Sequence, residues 1–152
     1  MGKRKCGPCN VCCISLGVPE LNKGHNVKCS HLKTGTRCCK IYKDRPFSCE
    51  TFRCGWLEGA GSHRHRPDKS GVVLCPSRAL VEGGLKIVQA REARQLAFSG
   101  SYWNELLNII TEAGYAAVMV PFGADKARTL KGDASQIEAF VKWVGGKDAL
   151  SK

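Results

Sequence analysis

The sequence contains no long apolar run. Its longest runs, such as Ala116 to Val120, are far shorter than the roughly 20 residues that a membrane-spanning helix needs. No apolar run follows the basic residues Lys3, Arg4 and Lys5, so we expect no secretory signal peptide. These absences favour a cytoplasmic protein without a membrane partner, in which cysteines stay reduced.

The signatures of common catalytic sites are also missing. The chain has no G-x-S-x-G or H-E-x-x-H motif, and Gly83-Gly84 lacks the flanking residues of a phosphate-binding loop. Glu105 and Glu112 fall on one predicted helix, where paired carboxylates usually face solvent. The sequence therefore indicates no reaction, and whether the protein is an enzyme stays open.

Acidic residues are scarce, with 13 Asp and Glu against 24 Lys and Arg, and the formal net charge is +11. Such an excess is typical of proteins that bind an anionic partner. Eight thiolates with two divalent ions would lower the net charge to about +7, so part of the excess can balance metal centres. We favour a solvated basic surface over a nucleic-acid site.

Cysteine is unusually frequent, and nine of the ten cysteines lie between residues 6 and 54. In a reducing compartment, thiolates at this density and at chelating spacings indicate metal ligation rather than disulfides. They allow two tetrahedral zinc centres, one zinc and one cubane cluster, or a shared multinuclear site. Zinc is our preferred ion, and adjacent Cys12 and Cys13 are expected to serve different metals.

Histidines are weaker candidates for metal binding. His25 and His31 are the nearest alternative ligands, although a surface or supporting role is more common for such residues. His63 and His65 fall in a polar stretch, for which we predict a solvated loop.

The cysteine pattern resembles that of a known family. The run C-x-x-C-x-x-C-C from Cys6 to Cys13, Cys29-Ser30-His31-Leu32, Cys39-Lys40-Ile41-Tyr42, Arg45-Pro46, Cys49 and Phe52-Arg53-Cys54-Gly55-Trp56-Leu57 carry the resemblance. Together they are similar to the CxxCxxCC family of zinc- or iron-chelating domains, the YkgJ-like cysteine cluster proteins, whose cluster also occurs in flagellin lysine N-methylase. The resemblance covers residues 6–57.

The resemblance implies a bacterial-type metal-binding protein with eight cysteine ligands. These are Cys6, Cys9, Cys12, Cys13, Cys29, Cys39, Cys49 and Cys54. Cys38 departs from the family pattern and leaves open which member of the Cys38-Cys39 pair is the ligand. Cys75 lies outside the pattern, and we predict that it is an inert buried thiol.

The remaining pattern predicts an α+β fold. We expect a cysteine-rich metal module over residues 1–57 with short helices, a linker over 58–70, and a small sheet with two helices over 71–152. The predicted elements are a helix from Pro8 to Leu16, a strand over Val72–Cys75, a turn at Gly83-Gly84 between Ala79–Glu82 and Leu85–Gln89, a helix from Ser101 to Gly114, a strand over Ala116–Val120, and a helix with a Ser135 capping box.

Three functions follow as hypotheses. The first is a protein that chelates zinc or iron through the eight-cysteine cluster. The second is an iron–sulfur or metal-dependent enzyme that performs redox or methyl-transfer chemistry. The third is a basic module that binds nucleic acid or a protein partner, with structural zinc.

Overall fold

The computed structural model of the chain describes residues 4–33, 39–77, 83–127 and 129–145. Five α-helices are found there: α1 (Val11–Ser15), α2 (Phe47–Thr51), α3 (Pro67–Ser70), α4 (Ser101–Glu112) and α5 (Ala134–Trp143). Four strands form one sheet: β1 (Val72–Pro76), β2 (Ile87–Glu92), β3 (Ala116–Val120) and β4 (Thr129–Gly132). The predicted α+β class is confirmed.

The sheet is mixed, with the strands in sequence order. β1 and β2 are antiparallel, with Val73 opposite Arg91, and β3 and β4 are antiparallel, with Val118 opposite Leu130. β2 and β3 run parallel because α4 connects them, as a crossover between parallel strands requires. The strand at β3 has the predicted bounds, whereas β4 was not predicted, because its alternating exposed residues form a weak apolar signal.

Helix α4 covers one face of the sheet. Trp103, Leu106 and Ile110 are buried against strand residues such as Ala90 and Met119. Each large apolar side chain buried in this way contributes roughly 1.5–3 kcal/mol to stability.

The predicted apolar stripe of α4 is partly wrong. The apolar periodicity of the sequence predicts a stripe of Tyr102, Leu106, Ile109, Ile110 and Ala113. In the structure Ile109 is 37% exposed and Ala113 is exposed. Trp103, which is fully buried, takes the place of its neighbour Tyr102, so the buried stripe is rotated by about one residue.

The opposite face of the sheet is divided between two apolar clusters. Near β3, Phe140 of α5 packs with Ile87 and Ala116. Near β1, Val11 and Cys54 of the cysteine-rich segment pack with Val73, together with Trp56. The cysteine-rich segment is thereby anchored on the first strand of the sheet, where the Gly55 N–H donates a 2.8 Å hydrogen bond to the Leu74 carbonyl.

Residues 58–70 contain short helices rather than the solvated loop predicted around the histidines. His63–His65 is a turn of 3₁₀ helix, and α3 follows it. His65 is only 3% exposed. Its Nδ1 accepts a 2.9 Å hydrogen bond from the Ser62 N–H, and its Nε2 lies 3.2 Å from Glu105. The solvated-loop prediction is therefore wrong for His65, although His63 is exposed, and Glu105 packs against His65 instead of facing only solvent.

Two further predictions concern the neighbouring segments. Gly83-Gly84 forms a turn before β2, but Ala79–Glu82, predicted as its first arm, lies outside the described residues.

None of the helices in the described ranges is long and apolar enough to cross a membrane. The division into 1–57, 58–70 and 71–152 stays a prediction.

Candidate metal centre

Two short turns present the first four cysteines. The Cys9 N–H donates to the Cys6 carbonyl at 3.1 Å, and α1 begins two residues later with Cys12 and Cys13 in its first turn. The helix is shorter than predicted, because it starts at Val11 instead of Pro8. Gly7, just before Pro8, adopts a positive φ of 55°. Cys6 and Cys9 consequently lie before the helix and not on its face.

Cys6, Cys9, Cys12 and Cys54 form one neighbourhood, which we call the first thiol group. Burial raises the pKa of Cys54, and charge on Cys6 raises it further. Burial likewise raises the pKa of Cys9, to which charge on Cys54 contributes. The Cys12 pKa is raised by its hydrogen bond with Cys13 and by burial, and charge on Cys13, Cys6 and Cys9 adds to this. The four thiols thus influence one another's ionisation.

Cys13, Cys29, Cys39 and Cys49 form a second neighbourhood, the second thiol group. Burial raises the pKa of Cys49, and charge on Cys13, Cys29 and Cys39 raises it further. The backbone also joins these segments, since the Cys29 N–H donates a 2.8 Å hydrogen bond to the Cys13 carbonyl. Cys39 is paired with Leu32 in an isolated antiparallel β-bridge.

The vicinal pair Cys12 and Cys13 lies where the two groups meet. The thiol of Cys12 hydrogen-bonds to the sulfur of Cys13, which raises the pKa of Cys12 and lowers that of Cys13. Adjacent side chains leave a helix about 100° apart, but this hydrogen bond keeps the two sulfurs next to each other. Charge on Cys6 and Cys9 raises the pKa of Cys12, whereas the charge of Lys23 lowers the pKa of Cys13. Lys23 itself is affected by charge on both cysteines.

Backbone N–H groups are directed at the sulfurs of the first thiol group. Val11 and Asp68 donate from the backbone to Cys9, and Leu57 donates to Cys54; these hydrogen bonds lower the thiol pKa values against the larger effect of burial. Thiolates accept such hydrogen bonds in metal sites, where surrounding donors orient the ligands. These backbone hydrogen bonds therefore partly stabilise a thiolate at Cys9 and Cys54.

Lys23 supplies positive charge to the second thiol group. Burial lowers the pKa of its ammonium group, and charge on Cys29, Cys13, Cys12 and Cys49 opposes that change. Its Nζ also donates a hydrogen bond to the Leu16 carbonyl. Cysteine spacing gave no indication of Lys23, because its position depends on the loop between α1 and Cys29.

The other candidate residues have different surroundings. Cys75 packs beside Cys9 and Cys54, and burial raises its pKa to about 12, so it stays a protonated thiol at neutral pH. His25 is turned toward the backbone, because its Nδ1 accepts a 3.0 Å hydrogen bond from the Gly17 N–H. Cys38 lies outside the described residues, so the choice between Cys38 and Cys39 stays a prediction.

The thiols are neighbours, but they do not converge on a point. Within the described ranges, no group of three or more Cys, His, Asp or Glu side chains is arranged to hold a metal ion. The donor set nevertheless fits a soft divalent ion, because partly buried sulfurs with raised pKa values need a nearby cation to ionise at neutral pH.

Comparison of the chain with protein-family models, curated proteins and solved structures finds no match. The resemblance to the CxxCxxCC family therefore stays a prediction that rests on the cysteine spacing.

Proposed function

We propose that the protein binds metal ions through its eight cysteines, as two centres of four thiolates each. The first thiol group would hold one ion and the second thiol group the other. The observation that carries this proposal is the proximity of the eight thiols, whose charges act on one another in two overlapping sets joined at Cys12 and Cys13.

Charge and desolvation support this proposal. Burial raises the pKa values of Cys9, Cys49 and Cys54. Ionising these thiols at neutral pH therefore costs free energy unless a cation binds the thiolates. A divalent ion supplies that charge, and because ligand deprotonation and folding are coupled to binding, the sulfurs would converge as the ion binds. Rotation about the side-chain χ1 torsions moves a sulfur without unfolding the backbone.

We favour zinc over iron for both centres. Zn²⁺ binds four thiolates tetrahedrally in closed structural sites. The four cysteines of each thiol group would therefore complete its coordination without another ligand. An iron–sulfur cluster also takes four thiolates, so the ligand count alone does not separate the two ions.

Anaerobic purification followed by elemental analysis and an absorption spectrum tests the proposal. We expect about two zinc ions per chain and a colourless protein. A brown protein with broad visible absorption and bound iron would indicate an iron–sulfur cluster instead of zinc. A chain that stays metal-free after reconstitution with zinc, or with ferrous iron and sulfide, would contradict metal binding altogether.

Serine substitutions identify the ligands. Cys9→Ser and Cys49→Ser should each remove metal and destabilise the N-terminal segment, because a centre with three thiolates binds zinc far more weakly. Cys75→Ser is the matched control, since Cys75 packs in the same apolar cluster as Cys9 but is not a proposed ligand. Equal metal loss from all three variants would show that the ligand set is wrong.

A further inference from the structure

A nearly buried ion pair lies beside the turn that joins the first two cysteines. Arg66 donates two hydrogen bonds to the carboxylate of Asp68, from Nε to Oδ1 at 2.6 Å and from Nη2 to Oδ2 at 3.0 Å. The two side chains are only 11% and 10% exposed. A planar guanidinium that grips both oxygens holds the carboxylate in one orientation.

The guanidinium of Arg66 also contacts the first thiol group. A methyl group at Gly7 would lie 3.8 Å from its Nη1, which places the guanidinium against the backbone between Cys6 and Cys9. Its central carbon lies 6.0 Å from the centre of the Trp56 ring, and Trp56 packs in the same apolar cluster as Cys9. The ion pair is therefore part of the surroundings of these cysteines, although it lies outside the cysteine-rich segment.

The ion pair holds the residue whose backbone reaches Cys9. Helix α3 begins directly after Arg66, and the first N–H groups of a helix have no acceptor within it. The Ser70 N–H donates to the Arg66 carbonyl at 3.0 Å, whereas the Asp68 N–H donates to the Cys9 sulfur. Because the carboxylate and this N–H belong to one residue, fixing the carboxylate also restricts the direction of the N–H.

Charge alone does not explain this arrangement. The ion pair is neutral as a whole. Burial raises the pKa of Cys9, and charge on Asp68 raises it further, so the carboxylate opposes the thiolate that a metal needs. Nor does a pair buried to this extent add much net stability, because the cost of desolvation offsets the attraction. A positional role accounts for a carboxylate kept beside a proposed metal ligand.

We infer that Arg66 and Asp68 are positioning residues of the first metal centre: their ion pair aims the Asp68 N–H at the Cys9 sulfur and thereby strengthens metal binding by the first thiol group. The inference rests on the proposed function, since it requires an ion held by that group. Hydrogen-bond partners of metal ligands orient the ligands, and losing one weakens metal binding by roughly 10- to 100-fold. We expect the effect to be confined to the first centre.

Substitution of either partner tests the inference through the sign of its effect. If the pair positions the ligand, Arg66→Gln and Asp68→Asn should each weaken zinc binding at the first centre by roughly 10- to 100-fold, because each breaks the paired hydrogen bonds. If only charge mattered, Asp68→Asn would instead tighten zinc binding, because it removes a negative charge beside the thiolates. Arg66→Lys keeps the charge but not the fork, so its affinity should lie between those of the parent protein and Arg66→Gln.

Competition with a zinc chelator, followed by alkylation of free thiols and mass spectrometry, measures the loss at each centre separately. In the variants, Cys9 should be alkylated at a lower chelator concentration than in the parent protein, whereas the alkylation of Cys49 should be unchanged. Replacement of zinc by cobalt gives a second readout, because the visible absorption of cobalt depends on ligand geometry. We expect this spectrum to change in Arg66→Gln even when both centres are filled.

Arg53→Gln is the matched control. Arg53 precedes Cys54, a proposed ligand of the same centre, and forms an ion pair with Glu58, but both of these side chains are 51% exposed. Exposed pairs contribute little, so this variant should retain zinc as the parent protein does. All variants are compared at the far-ultraviolet circular dichroism of the parent protein. If Arg66→Gln does not fold, Asp68→Asn decides, because its amide has the shape of the carboxylate.

Three outcomes would overturn the inference: tighter or unchanged zinc binding in Asp68→Asn, equal losses at Cys9 and Cys49, or an equal loss in the control variant. A parent protein that binds no metal refutes the proposed function itself. A parent protein with two ions, of which Arg66→Gln retains both equally well, refutes only the positioning role and leaves the metal proposal standing.

Discussion

The guanidinium of Arg4 lies 5.1 Å from the centre of the Trp56 ring, and its Nη1 donates a 2.8 Å hydrogen bond to the Trp56 carbonyl. The same guanidinium donates to the carbonyls of Ala60 and Gly61 at 3.1 Å and 2.7 Å. One side chain thus ties the start of the chain to the segment that follows the last cysteine of the first thiol group. Trp56 in turn packs with Val73 of the sheet.

Replacing Arg4 should therefore loosen the attachment of the cysteine-rich segment. We expect Arg4→Lys to lower the free energy of unfolding by about 1–3 kcal/mol, because an ammonium group cannot reproduce three hydrogen bonds in a fixed fork and a stacking contact. Urea denaturation followed by tryptophan fluorescence measures this change. Lys5→Ala is the control, since Lys5 is exposed; equal destabilisation by both variants would contradict the role of the guanidinium.

We expect the residue that caps α5 to affect the stability of the protein in acid. Asp133 precedes the helix, and its Oδ1 accepts hydrogen bonds from the Ser135 hydroxyl at 2.5 Å and the Gln136 N–H at 3.1 Å. These bonds lower the pKa of Asp133, the hydroxyl contributing most. A carboxyl whose pKa is lower in the folded protein stabilises it fully above the unfolded pKa of about 3.9, and that stabilisation is lost as pH falls through the folded pKa.

Asp133→Asn keeps a capping oxygen but removes the titration. We expect the parent protein to melt at a higher temperature than Asp133→Asn near neutral pH and the difference to shrink as pH falls below about 4. Differential scanning calorimetry of both proteins across this range measures the gap. A difference that stays constant with pH would show that the Asp133 carboxylate does not contribute through its charge.

The same cap shows what the sequence could and could not predict. The apolar residues Ile137 and Phe140 located helix α5 correctly, but the capping box was placed on Ser135, whereas the helix begins at Ala134 with Asp133 as the cap. Asp, Ser and Asn cap helices about equally well, so propensity cannot choose between neighbours in Asp-Ala-Ser. Periodicity identifies an element more reliably than it fixes its ends.

The candidate site, like this helix, could be predicted from the sequence only in part. The family resemblance implied the eight ligands, and the expectation that Cys12 and Cys13 serve different metals followed from the strain of binding one ion with adjacent cysteines; both stay predictions. Cysteine spacing could not assign Cys54 to the group of Cys6 and Cys9, since that proximity depends on how residues 54–56 pack against β1. Nor did it identify Lys23, Arg4 or the burial of His65, which are all set by contacts between distant segments.

Lys23 should control how easily the second thiol group ionises. Its charge lowers the pKa of Cys13, and thiols must lose their protons to bind metal. Lys23→Gln should therefore raise the thiol pKa, so that metal is released at a higher pH on acidification, by roughly half a pH unit to one unit. Zinc release monitored with a chromogenic chelator during a pH titration gives the midpoint. Lys28→Gln is the control, since Lys28 is exposed; an equal shift in both variants would indicate a general charge effect.

The two-centre arrangement makes the most specific prediction. If Cys12 belongs to the first thiol group and Cys13 to the second, each single serine variant should lose about one of two ions, and Cys12→Ser with Cys13→Ser should lose both. Elemental analysis of the anaerobically purified variants measures the loss. If one ion were held by the vicinal pair, the double variant would lose no more than either single variant.

Two further double variants separate the groups from one another. Cys9→Ser with Cys12→Ser removes two ligands of the first thiol group and should leave the other ion bound. Cys12→Ser with Cys49→Ser removes one ligand from each group and should leave none. Both carry the same number of substitutions at partly buried cysteines, so a general loss of stability would affect them alike. Different metal contents in these matched proteins can only come from the way the eight cysteines are divided, whereas equal contents would mean a single shared site.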